Sequence, residues 1–130
     1  MREELQACRG AICIREDRAE LVESATLKLL RALGEANHLG HEDCVFALFS
    51  VTADIRSRNP ATAARAAGWE LPLFCVREAE FEGSPALVIR LLLAYRAETG
   101  EVAQHCYLDG AEKLRPDLFA DQDFRTQPSP

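Results

Sequence analysis

The sequence lacks the spacings by which cysteine and histidine hold metals. Its five cysteines, Cys8, Cys13, Cys44, Cys75 and Cys106, are odd in number and form no C-x-x-C pair. His38, His41 and His105 make no H-x-x-x-H or H-E-x-x-H pattern, so no zinc site is expected. A long apolar run is missing too. The longest, Ala86 to Tyr95, falls short of the ~20 residues of a membrane span and carries Arg90. Met1 to Gln6 are charged rather than apolar, so no secretory leader is expected, and free thiols without one point to the cytoplasm. Basic residues are outnumbered, leaving a net charge of −6. That balance argues against nucleic acid or an anionic membrane as partner. An anionic small molecule stays open, because a pocket can be locally basic on an acidic protein.

What is present suits one compact domain. With 48% hydrophobic residues, the 130-residue chain has material for a core that needs no staples. Ala7 to Ile14 reads as a strand. Asp17 and Glu20 have capping-box spacing at the start of a helix. Val22, Ala25, Leu29 and Leu33 form its apolar stripe, and Gly34, Asn37 and Gly40 punctuate its end. Cys44 to Phe49 is a strand buried on both faces or nearly so. Pro60 opens a short helix that Gly68 stops. Leu71 to Val76 is a strand whose start Pro72 pushes toward an edge or a bulge. Ala86 to Tyr95 is the strongest strand, and Val102 to Leu108 is expected to return beside it after a turn at Glu98-Thr99-Gly100. The domain is expected over residues 1–118, and Phe119 to Pro130 as a flexible tail.

This order predicts an α/β or α+β domain with a mixed β-sheet, one long helix and one short helix. A single long helix cannot cover both faces of such a sheet. The second face needs another cover, and a symmetric oligomer supplies one.

Arg90 is the most informative residue. It stands between Val88-Ile89 and Leu91-Leu92, where an unpartnered guanidinium is very costly. Either it makes a structural ion pair or reaches water along its stem, or it is held at a pocket edge and aimed at a carboxylate or a developing oxyanion. Arg9 is similar, and Gly10 beside it lets a ligand or another backbone come close, although a lone arginine near a strand start is more often a solvated edge residue. Glu78 follows an apolar strand and could accept a hydroxyl proton. The default readings are a solvated strand end for Glu78, a small core residue for Cys75, a half-buried ring for Tyr107 and surface charges for Arg65 and Arg115.

As a set, these residues resemble the AroH-class chorismate mutases. The resemblance runs from Ala7 to Leu118 through Arg9-Gly10-Ala11, Ser50-Val51-Thr52-Ala53-Asp54, Pro60-Ala61 with Arg65, and Gly68-Trp69. It continues through Cys75-Val76-Arg77-Glu78, Ile89-Arg90, Tyr107-Leu108 and Leu114-Arg115-Pro116-Asp117-Leu118. It implies a homotrimer with a pseudo-α/β-barrel core and active sites between subunits. The implied reaction is the Claisen rearrangement of chorismate to prephenate in aromatic amino-acid biosynthesis, with no cofactor. The resemblance gives Arg90 the ether oxygen and the enolpyruvyl carboxylate, Arg9 that carboxylate too, Glu78 the ring hydroxyl and Tyr107 a carboxylate. It places Cys75 at the ring and Leu73, Phe74, Asn59, Ala61, Thr62, Arg65, Leu114 and Arg115 around the cleft, partly from a neighbouring subunit.

The chain departs from the family pattern at three points. Asn59-Pro60-Ala61-Thr62 stands where Phe-Pro-Ala-Lys is common, so an aromatic lid and a cation are missing. Phe74 stands where a small polar residue is usual, and could offer a ring from a different direction. The segment from Trp69 to Cys75 is one residue shorter. These changes imply weaker ground-state binding with the chemistry retained. Two other readings remain: a trimer of the same fold that only binds a small carboxylate, and an imine or enamine hydrolase on a related trimeric scaffold.

Overall fold

The computed structural model describes residues 2–118; the tail expected over Phe119 to Pro130 lies outside them. Five strands form one sheet: β1 (Glu3–Cys13), β2 (Cys44–Val51), β3 (Leu73–Arg77), β4 (Val88–Glu98) and β5 (Cys106–Leu108). Their order is β3-β2-β4-β1-β5. β4 runs antiparallel to both β1 and β2, while β2/β3 and β1/β5 are parallel, so the sheet is mixed as expected. The long helix α1 (Ala19–Ala36) and the short α2 (Pro60–Ala66) pack together, α1 reaching β1 and β5 and α2 reaching β3.

The stripe read from the sequence is the buried face of α1: Val22, Ala25, Leu29 and Leu33, joined by Thr26 and Leu30. It packs on Cys8, Ile12, Phe49, Ile89, Leu91, Leu93 and Tyr95 of the sheet. Each fully buried Leu or Ile contributes roughly 1.5–3 kcal/mol, so this interface is the main source of stability. Gly10 is the close-approach point. A Cβ there would lie 2.8 Å from Leu29 Cδ1 and 2.9 Å from the Cys106 carbonyl oxygen, so both the helix and β5 need a residue without a side chain.

The opposite face of the sheet is only partly covered. Ala11, Val88, Tyr107 and Ala111 form a small buried cluster there, with Cys13, Leu114 and Leu118 packed against it. Toward β3, Phe46, Phe74 and Val76 stay exposed. The sequence expectation that Cys44 to Phe49 is buried on both faces therefore fails within one chain. Ala47 and Phe49 are buried, but Phe46 is 38% exposed.

Three local expectations are corrected by bonds to distant residues. Asp17 does not cap α1: the helix starts at Ala19 with Arg18 as its cap residue, without a side-chain cap bond. The Asp17 carboxylate instead accepts from the Arg56 and Ser57 amides and the Ser57 hydroxyl. The strand expected over Val102 to Leu108 is reduced to Cys106–Leu108 and pairs parallel with β1 rather than with β4. Asn37 explains much of this. Its Oδ1 accepts from the Gln104 amide at 2.7 Å, and its Nδ2 donates to the Gln104 carbonyl at 2.9 Å, so neither group is left for a ladder. Its remaining bonds reach the Leu33 carbonyl and the Tyr95 hydroxyl, which ties the helix end to the sheet. Finally, β1 begins at Glu3 rather than Ala7, because β4 continues to Glu98 and pairs with it.

Gly10→Ala is expected to destabilise the protein by about 1–3 kcal/mol, the usual range for overpacking. Urea unfolding measures this, and a midpoint equal to that of the unaltered chain would contradict the packing described.

Candidate active site

Sheet register places the chemistry. Arg90 of β4 is the Cα partner of Ser50 on one side and Ala11 on the other. Ser50 pairs in turn with Val76, and Ala11 with Tyr107. One row across the sheet therefore runs Val76, Ser50, Arg90, Ala11, Tyr107, on the face away from α1. Just past β3, the Glu78 amide donates to the Val51 carbonyl at 2.7 Å and carries the ladder one residue further. Its carboxylate folds back over this row.

There Glu78 Oε2 lies 2.8 Å from Arg90 Nε and accepts from the Ser50 hydroxyl at 2.9 Å. The arginine contact is an ion contact rather than a formed hydrogen bond: Nε is buried, yet its N–H is not aligned on any acceptor. The two side chains are 38% and 25% exposed. A partly solvated pair of this kind stabilises by roughly 0–1 kcal/mol, too little to account for an arginine in so apolar a strand. The pair opens onto a cleft of about 490 Å³, lined also by Thr52, Asp54, Glu80, Phe81 and Val88. Of the two readings of Arg90, the structure thus contains both: an ion pair, and a pocket beside it.

The loop that starts β4 is braced from β2. The Asp54 carboxylate accepts from the Thr52 hydroxyl and from the Leu87 amide at 3.0 and 3.1 Å. Thr52 exchanges further bonds with Val88 through its hydroxyl and its amide. This holds Leu87 at φ +56°, a left-handed conformation that costs a non-glycine residue ~1–3 kcal/mol and persists only where the surroundings impose it. Arg90 stands three residues on. Sequence reasoning assigned no role to Ser50, Thr52, Asp54 or Phe81. The segment Ser50 to Asp54 was visible as a motif, but its bonds to Glu78 and Leu87 span 28 and 33 residues.

The other expected residues are distributed over the molecule. Arg9 is exposed one row from Arg90 on the same face, beside Leu92. Its amide donates to His105 Nδ1 at 2.9 Å. Tyr107 is buried beside Ala11, and its hydroxyl interacts with Arg115. Arg115 also makes a two-point pair with Asp117, at 2.9 and 2.7 Å, and these partners raise its pKa. Leu114 packs near Tyr107. Phe74 is 65% exposed on the open face. Leu73 and Cys75 lie in the same strand but pack toward the α1 side, Cys75 beside Phe49. Burial pushes the Cys75 thiol up, so it is no ready nucleophile. Asn59 caps α2 through a 2.8 Å bond from the Ala61 amide. Ala61 is buried in the core beneath α1, while Thr62 and Arg65 are exposed on α2. One chain thus brings together Arg90 and Glu78, with Arg9 and Tyr107 nearby. It does not bring Asn59, Ala61, Thr62 or Arg65 to that cleft.

The fold is a small single-sheet α+β domain that presents an arginine and a glutamate to a cleft at one face of its sheet. The family described as chorismate mutase type I matches residues 5–118. A chorismate mutase AroH from Thermus thermophilus is 39% identical over 121 residues, covering 91% of this chain and 99% of the relative. A solved chorismate mutase from Clostridium thermocellum superposes with a TM-score of 0.77 at 33% identity, covering 83% of this chain and 98% of that one. The chain belongs to the chorismate mutase type I family, and its activity is that family's isomerase activity.

His105 makes the site's surroundings sensitive to acid. Burial, then Arg9, then Arg115 hold its pKa below the ordinary 6.5, and its Nδ1 must stay unprotonated to accept from Arg9. The unfolded chain binds this proton first as pH falls. Stability from this group is therefore complete above 6.5 and is lost as pH drops through the lower folded value. His105→Gln is expected to flatten stability between pH 7 and about 5, in a range above the ordinary carboxylates. Parallel curves for the two proteins in thermal unfolding would sink this assignment.

Proposed function

We propose that the chain rearranges chorismate to prephenate at the Arg90–Glu78 cleft, completed by a neighbouring subunit of a homotrimer. Residues 1–118 form the catalytic domain, and the setting is cytoplasmic aromatic amino-acid biosynthesis. The observation that carries the reading is the pair itself: a guanidinium with an unaligned N–H and a carboxylate, side by side at a cleft. A simple anion binder has little use for that carboxylate.

The reaction breaks a C–O bond as a C–C bond forms, within one molecule. It needs no proton transfer, no covalent intermediate and no cofactor. Catalysis lies in holding the compact diaxial conformer and in meeting the negative charge that grows on the ether oxygen. Arg90 meets that charge and the enolpyruvyl carboxylate, Glu78 accepts from the ring hydroxyl, and Arg9 and Tyr107 hold carboxylate. A fixed guanidinium is most valuable where charge appears only in the transition state.

Charge supports the shared cleft. Within one chain it is lined by three carboxylates, Asp54, Glu78 and Glu80, against one cation, Arg90. Asp54 is committed to the Leu87 amide. A dianionic substrate still needs further cations, and Arg65 stands exposed on α2, on the far side of the sheet. A second copy placing its α2 over the first copy's open face would bring Arg65, Ala61 and Thr62 to the cleft. It would also cover Phe46, Phe74 and Val76. Membrane attachment has no support: among the described residues no helix is long and apolar enough to cross a membrane.

Purified protein is expected to consume chorismate, followed by loss of its diene absorbance, and to show the mass of three chains in solution. Arg90→Ala is expected to lose at least ~10²–10³-fold in turnover, the scale of a lost oxyanion donor. Arg90→Lys recovers only part, because an ammonium lacks the planar fork. Near-normal turnover by Arg90→Ala would end the assignment. Thr62→Lys, which supplies the family's missing cation, is expected to lower KM with little change in kcat; an unchanged KM would count against Thr62 lying at the cleft.

A further inference from the structure

We propose that Ser50 is a positioning residue of this site, which keeps Glu78 and Arg90 from collapsing onto each other. The inference deepens the mutase reading and rests on it. Ser50 sits in β2 between the two residues, as the Cα partner of Arg90 on one side and Val76 on the other. Its hydroxyl donates to Glu78 Oε2 at 2.9 Å, the same oxygen that lies 2.8 Å from Arg90 Nε. Arg90 Nε, though buried, has no hydrogen-bond partner among the described residues.

This arrangement is not what an arginine and a glutamate adopt alone. Their preferred geometry is a two-point fork, two parallel N–H···O bonds using both carboxylate oxygens. Arg115 and Asp117 form such a pair elsewhere in this chain. At Arg90 the fork is absent, and the Nε–H is not even aligned on the carboxylate. The Ser50 hydroxyl holds Oε2, and the Glu78 amide is tied to the Val51 carbonyl, so β2 anchors the glutamate at both ends. Held this way, the carboxylate bonds to β2 in place of a second contact with the guanidinium. Oε1 is left for the ring hydroxyl, and the terminal nitrogens of Arg90 are left for the ether oxygen and carboxylate. Ser50 touches no reacting atom in this scheme; it acts through Glu78.

The test compares Ser50→Ala and Ser50→Thr with the unaltered enzyme in chorismate kinetics, thermal unfolding and crystal structures. Ser50→Ala is expected to lose about tenfold in kcat/KM, the scale of a lost hydrogen bond to a charged group. Ser50→Thr, which keeps the hydroxyl, is expected to restore most of it. In crystals of Ser50→Ala, Glu78 is expected to have turned into a two-point pair with Arg90. Should the alanine variant not fold, Ser50→Cys, nearly the same shape but a weak donor, carries the same expectation. A lowered Tm with unchanged kinetics would make Ser50 merely structural and overturn the proposal. So would an unmoved carboxylate. If the unaltered protein leaves chorismate intact, the mutase reading falls on its own, and the carboxylate's position in the variant crystal alone decides the role of Ser50.

Discussion

The structure turns on how an arginine is kept inside an apolar strand. Arg90 lies in the central strand of five, flanked by Ile89 and Leu91, which face the buried helix side. Its own side chain points the other way, where Glu78 supplies the opposite charge without a closed fork.

The two faces of the sheet do different work. The α1 side is a packed hydrocarbon interface with a glycine at its tightest point, and it supplies most of the stability. The other side carries the polar row from Ser50 through Arg90 toward Tyr107, next to apolar side chains that one chain leaves exposed. The face that carries Arg90 and Glu78 is also the face that one chain leaves partly uncovered. The apolar interface and the polar row are separated by strand alternation, since neighbouring residues of β4 point to opposite sides.

Irregular segments are held by side chains rather than by ladders. Asn37 satisfies all its polar groups between the helix end, Gln104 and Tyr95. Asp17 gathers the 56–57 backbone, and Asp54 grips Leu87 in its strained conformation. Each carboxylate or amide replaces several backbone bonds that its loop cannot make for itself.

Periodicity and composition were enough to determine the helix stripe, the approximate place of the first four strands and the anomaly of Arg90. These are local properties, set by side-chain spacing and by the cost of burying charge. The chemistry-bearing motifs were equally visible, and they led to the family. Partnership was not visible. Nothing near Asp17 reveals that it serves Ser57 rather than its own helix, and nothing in Val102 to His105 reveals that Asn37 takes the bonds a strand would use. Likewise, Cys75 and Glu78 are neighbours in sequence, yet only the fold turns the first toward the core and the second toward Arg90. Hydrogen bonds between distant residues depend on sheet register and chain crossing, and those exist only once the whole chain has folded.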